Sequence, residues 1–112
     1  MTKRGSFFME TRMSQLSKYE LEMLVTKLNE QKRKAEQHGN MSEVEVIIRK
    51  IAIAQSYLVD TSRFETGRFY QIDGEETRFE LHFVNGVMGW GHFEGTVNEV
   101  AIPLALIQEE EE

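Results

Sequence analysis

The chain has 112 residues, no cysteine and one proline, and carries 13 Lys+Arg against 19 Asp+Glu for a formal net charge of −6. That length suits one modest hydrophobic core, and the lack of cysteine excludes disulfides, thiolate nucleophiles and thiolate metal sites. No apolar run approaches the roughly 18 residues of a membrane-spanning helix or the about 7–15 of a signal peptide, so the expected location is the cytoplasm.

Residues 1–15 read as a flexible leader, with Met9 as an alternative start. A helix is predicted from about Lys18 to His38. Ser17 and Glu20 form a capping box at its start, and Leu16 is placed to staple onto Leu21. Leu21, Leu24, Val25, Leu28 and Ala35 repeat at helical spacing and give it a single buried stripe. Lys32, Arg33, Lys34 and His38 suit the negative end of the helix dipole. Gly39 supplies a left-handed stop, and Asn40-Met41 completes a short antiparallel connection.

The second helix, about Glu43 to Val59, repeats the grammar. Ser42 is expected to cap it with Glu45, and Met41 to staple onto Val46. Val44, Ile47, Ile48, Ile51, Ala54 and Leu58 form one stripe, while Val46, Ile53 and Tyr57 add a second apolar side. A helix apolar on two sides calls for burial on two sides. Both capping serines are occupied structurally and drop out as nucleophiles.

Beyond Asp60 the periodicity becomes alternating. Strands are predicted at Arg68–Asp73, Thr77–Val84, Val87–Glu94 and Asn98–Ile102, followed by a short turn at Leu104–Ile107. Asn85-Gly86 is the sequence of a two-residue type I′ hairpin turn. That turn pairs Val84 with Val87, Leu81 with Trp90 and Phe79 with His92. Phe79, Leu81, Phe83, Met88, Trp90 and His92 then share one face, with Arg78, Glu80, His82, Gly89, Gly91 and Phe93 on the other. Alternating glycines permit coiling and close backbone approach. The predicted fold class is α+β. Its N-terminal antiparallel helical hairpin (16–59) packs on a C-terminal small SH3-like β-barrel (60–108), with an acidic tail at 109–112.

The strings Ala35-Glu36-Gln37-His38-Gly39, Arg49-Lys50-Ile51 and Ala54-Gln55-Ser56-Tyr57-Leu58 resemble the YfhH family of small proteins from Bacillus-type bacteria. So do Asn85-Gly86-Val87, Trp90-Gly91 and Ala101-Ile102-Pro103-Leu104. The similarity spans about Glu10 to Gln108. It implies a helical hairpin followed by an SH3-like barrel. It brings no catalytic residues, though family members have been labelled transcriptional regulators.

The residues' own chemistry points away from an enzyme. Gly89-Trp90-Gly91-His92-Phe93-Glu94-Gly95 lacks the G-x-G-x-x-G spacing of a phosphate loop and falls inside a strand. Asp73, Glu75 and Glu76 cluster in a turn, where acids are ordinarily just solvated. In the predicted register His82 and His92 face opposite ways, so a metal site would need a third ligand and a bulge to reunite them. No cofactor or metal is expected. The favoured reading is a protein-interaction or regulatory module, possible as a homodimer, using Phe64, Tyr70, Trp90 and Phe93 as a peptide groove. The alternative is a nucleic-acid-associated regulator contacting phosphates through Lys27, Lys32, Arg33 and Lys34. Charge opposes it: residues 1–70 hold 12 basic against 9 acidic groups, but residues 71–112 hold Arg78 alone against 10, and a duplex is repelled by that excess.

Overall fold

The computed structural model describes residues 13–110, so residues 1–12 of the predicted leader, with the Met9 start, lie outside the described residues. The chain divides into two compact units, one ending at Leu58 and the other beginning at Val59.

The first unit is the helical hairpin: α1 (Lys18–Gln37) and α2 (Met41–Ser56), preceded by a single 3₁₀ turn at Met13–Gln15. The first capping box forms as expected. Glu20 N–H donates to Ser17 Oγ at 3.1 Å, and Ser17 N–H donates to Glu20 Oε1 at 2.9 Å. Gly39 adopts φ 71° and closes α1, with its N–H donating to Glu36 O and Asn40 N–H to Ala35 O. This pair of bonds is the Schellman arrangement, which satisfies two of the carbonyls a helix end leaves open.

The second cap is shifted from the expected residue. Asn40, not Ser42, caps α2: its Oδ1 accepts from Glu43 N–H at 3.2 Å, and its Nδ2 donates to Glu43 Oε1 at 3.1 Å. The Schellman turn ends at Asn40, so the next helix starts at once and leaves Ser42 inside its first turn. Asparagine caps as well as serine and adds a donor of its own. The Met41–Val46 staple does not form a buried pair, since both side chains are exposed. Ile48 and Leu58 are exposed as well, so burial of α2 on two full sides is not observed. Instead Val44, Ile47 and Ala54 meet Leu24, Leu28 and Ala35 of α1 in a core that also takes Met13, with Ile51, Ile53 and Tyr57 packed around it. Met13 falls within the predicted leader, yet it is part of the hairpin core.

The second unit is a five-stranded antiparallel sheet: β1 (Phe69–Ile72), β2 (Phe79–Asn85), β3 (Met88–Phe93), β4 (Val100–Pro103) and β5 (Ile107–Glu109), in the order β4-β3-β2-β1-β5. The fifth strand falls in what reads as turn and tail. It pairs with β1 through Tyr70↔Glu109, Gln71↔Gln108 and Ile72↔Ile107. The expected barrel is not closed; β4 and β5 are the two edges of an open sheet. Those edges are nonetheless joined by one 3₁₀ turn, Leu104–Leu106. Four residue steps from Pro103 to Ile107 span at most about 14 Å. The edges of a flat five-stranded sheet would lie about 19 Å apart. The sheet must therefore curl to let the short link reach. Its concave side holds Tyr70, Ile72, Phe79, Leu81, Leu104 and Ile107, with Phe64, Val84 and Phe93 packed against them.

Candidate functional site

The outer face of this sheet is set by two departures from the expected hairpin register. The turn is centred on Gly86-Val87 and flanked by the pair Asn85↔Met88. Gly86 has φ 64°, and among the described residues only glycines take a positive φ. A positive φ at the first central position alone is the pattern of a II′ turn, so Asn85 stays in the strand. This correction moves the pairing by two positions, to Phe83↔Trp90, and leaves the faces as they were. The second departure changes them. Between Leu81 and Phe83 the register slips, with Leu81 opposite Gly91 and Phe83 opposite Trp90, so His82 is an extra residue in a β-bulge. One extra residue reverses the facing of every side chain beyond it.

Two consequences follow. Phe79 and Leu81 go inward on the same side as Gly89 and Gly91, and the glycines make room for them. A Cβ at Gly89 would lie 2.7 Å from Ile107 Cδ1, and one at Gly91 would run into the Glu80 carbonyl oxygen. At the same time Glu80, His82 and His92 come together on the outer face. The predicted opposition of the two histidines is thus overturned: their rings lie 4.7 Å apart, centroid to centroid. Each of the three offers one ligand atom, and these atoms lie within 4.8 Å of one another. His92 Nε2 is 3.6 Å from Glu80 Oε1, and His82 Nδ1 is 3.5 Å from Glu99 Oε2.

A neighbouring network holds the face in place. The Arg78 guanidinium donates to both Glu94 oxygens, at 3.2 and 2.9 Å, and to Glu110 Oε2 at 3.1 Å. It also lies 4.2 Å over the Phe69 ring. The hydrogen bonds from Arg78 hold the Glu94 carboxyl below its ordinary range and push the Arg78 guanidinium up in turn. Glu109 and Glu110, read as tail, are accordingly part of the sheet and its clamp.

Of the four aromatics expected to line a groove, Phe64, Tyr70 and Phe93 pack into the core of the sheet and Trp90 does not join them. Tyr70 is 0 % exposed, and its hydroxyl accepts from Glu65 N–H at 2.8 Å. Phe64 packs edge-on against Tyr70, and Phe93 edge-on against Phe79. Only Trp90 turns away from that core, stacked in parallel on Phe83, with ring planes 3° apart and centroids 6.0 Å apart. Phe83 is 44 % exposed. The four expected nucleic-acid cations lie on α1, where Lys27, Arg33 and Lys34 are exposed and Lys32 is half-buried. At about 100° per residue, Lys27 and Lys34 share a direction, Arg33 points roughly 100° away, Glu30 falls between them, and Lys32 lies on the far side. They do not make one stripe.

The Glu80–His82–His92 group is what the sequence reading missed. The available signal was the Gly89-x-Gly91 alternation opposite bulky residues, which marks close backbone approach and hence a local irregularity. No helix among the described residues is long and apolar enough to cross a membrane. An open depression of about 400 Å³ at the β1–β5 edge is bordered by Gln71, Ile72, Asp73, Gly74, Gln108 and Glu109.

Comparison with known proteins agrees with the resemblance drawn from the sequence. The family model described as "Protein of unknown function (DUF1811)" matches residues 11–108. The "Uncharacterized protein YfhH" of Bacillus subtilis (strain 168) is 38 % identical over 104 residues, covering 92 % of this chain and 100 % of its own. The chain therefore belongs to the DUF1811 family, together with YfhH of Bacillus subtilis.

Proposed function

We propose that the protein is a non-enzymatic cytosolic interaction module, in which a strongly curled, SH3-like sheet presents its outer face to a partner at Phe83 and Trp90. The observation that carries this is the parallel stack of a half-exposed phenylalanine on the chain's one tryptophan. Aromatic side chains with an apolar body and little rotamer freedom are the usual anchors of protein recognition. An open sheet face also suits a protein ligand better than a small substrate, which calls for an enclosing cavity. The SH3-like reading is supported by the strand order and by the 3₁₀ link between the edge strands.

The partner's chemistry follows from charge. Residues 71–112 carry one basic group, Arg78, which already serves Glu94 and Glu110. A basic segment with an apolar anchor complements that surface; a second acidic copy of the sheet does not, so the homodimer takes second place. The dispersed cations of α1 likewise favour a protein over a duplex.

The test places a photo-crosslinking phenylalanine at position 83 in the native host, with the same group at Val97, which is 94 % exposed, as the control. A crosslinked partner specific to position 83, weakened by salt and lost on Trp90→Ala, is the expected result. Equal products from both positions, or none at 83, overturn the reading.

A further inference from the structure

We propose that Glu80, His82 and His92 form a binding site for a divalent transition-metal ion, zinc in the first instance. Two imidazole nitrogens and one carboxylate oxygen are a donor set suited to zinc and its first-row neighbours. Tetrahedral zinc with bonds of about 2.0–2.2 Å separates its ligand atoms by about 3.4 Å. His92 Nε2 and Glu80 Oε1 already stand at 3.6 Å. The ligand atoms of the whole trio lie within 4.8 Å of one another, which is about 1.4 Å wider than tetrahedral zinc requires.

The surroundings support a built site. Metal-binding histidines ordinarily give their second ring nitrogen to a carboxylate, which fixes the tautomer and the ring plane. His82 has that partner: Glu99 Oε2 faces its Nδ1 at 3.5 Å, which leaves Nε2 for the ion. The two strands contribute unequally, Glu80 and His82 from β2 and His92 from β3. A bound ion therefore crosslinks the strands across the bulge and holds the slipped register in place. His82 and His92 remain 37 % and 28 % exposed at their side chains, so a fourth position opens to solvent. Arg78, the one basic residue of residues 71–112, is engaged by Glu94 and Glu110 and does not compete for Glu80.

The experiment uses the full untagged chain, because a polyhistidine tag would itself bind zinc. After chelator treatment and dialysis, zinc is titrated calorimetrically. Histidine side-chain nitrogen resonances are followed in parallel on the unmodified chain, which needs no substitution and no assumption about folding. The expected result is one ion per chain, with His82 and His92 shifting and His38, at the end of α1, unmoved. Glu80→Gln and His92→Gln should each weaken binding at least roughly tenfold, and Glu99→Gln about tenfold as an orienting residue. His38→Gln should leave it unchanged. Circular dichroism and Trp90 emission check that each variant is folded. No saturable binding up to about 100 µM zinc overturns the proposal. So does equal perturbation of all three histidines, or wild-type affinity in folded His92→Gln.

Discussion

The hairpin and the sheet are nearly equal shares of the chain, yet they are held in different ways. The hairpin relies on short-range devices: a capping box at Ser17, a Schellman turn at Gly39, an asparagine cap at Asn40, and a core of small and medium side chains. The sheet concentrates its burial in a few large groups, with Tyr70, Phe79, Leu81, Leu104 and Ile107 all at 1 % exposure or less. Their partners come from strands far apart in sequence, as in the pairing of Tyr70 with Glu109. Many modest local contributions make a unit tolerant of single changes; few large and distant ones make it brittle.

That contrast is open to attack, beginning where the effect should be largest. Phe79→Ala removes a wholly buried ring and its edge-on contact with Phe93, and should cost about 3–5 kcal/mol in denaturant unfolding. If the sheet loses no more than about 1 kcal/mol, its core is not concentrated as described. Gly91→Ala tests the same unit through the backbone. Its Cβ meets a carbonyl that cannot rotate away, so a loss of at least about 1–3 kcal/mol is expected from overpacking. A smaller loss would mean the bulge at His82 can relax.

In the hairpin, Ser17→Ala and Asn40→Ala should each cost about 1 kcal/mol, the ordinary worth of an N-cap. Ser42→Ala should stay within about 0.5 kcal/mol, as for a surface position. Equal effects at Asn40 and Ser42 would return the cap to the serine. The smallest effect belongs to the Arg78 clamp. Glu94 is held below its ordinary value by Arg78, so its contribution is complete above pH 4.5 and fades as pH falls through the lowered value. Arg78→Leu should flatten that acid-side loss in thermal melts taken from pH 6 down to pH 3. An unchanged profile would mean the clamp is not formed in solution.

The same contrast explains what could be read from residues alone. The start of α1, its stop at Gly39 and the stripe of α1 are encoded in neighbouring residues and appear where the spacing places them; of the α2 stripe, Val44, Ile47, Ile51 and Ala54 pack in the core while Ile48 and Leu58 stay exposed. The second cap was missed because Asn40 and Ser42 are both competent, and only the way the preceding turn ends chooses between them. The bulge is harder. Nothing in Leu81-His82-Phe83 distinguishes two residues opposite one from plain alternation, because the choice is made by how Phe79 and Leu81 fit over Gly89 and Gly91. That single backbone event moved Trp90 to the outer face and assembled Glu80, His82 and His92. β5 was lost for another reason: three residues are too few to carry a period, and only pairing with β1 makes them a strand.

The short edge strands also bear on how any partner approaches. β4 and β5 have four and three residues, and Pro103 stands at the end of β4 without an N–H to offer. Brief edges, one of them missing a donor at Pro103, are poor templates for adding a strand from another chain. This sheet is thereby protected against edge-to-edge aggregation, and it also discourages recognition by strand addition. A ligand is left to bind through side chains presented on the face. Its selectivity would then rest on the shape and charge of a small patch, with little help from the sequence-blind hydrogen bonds of a backbone.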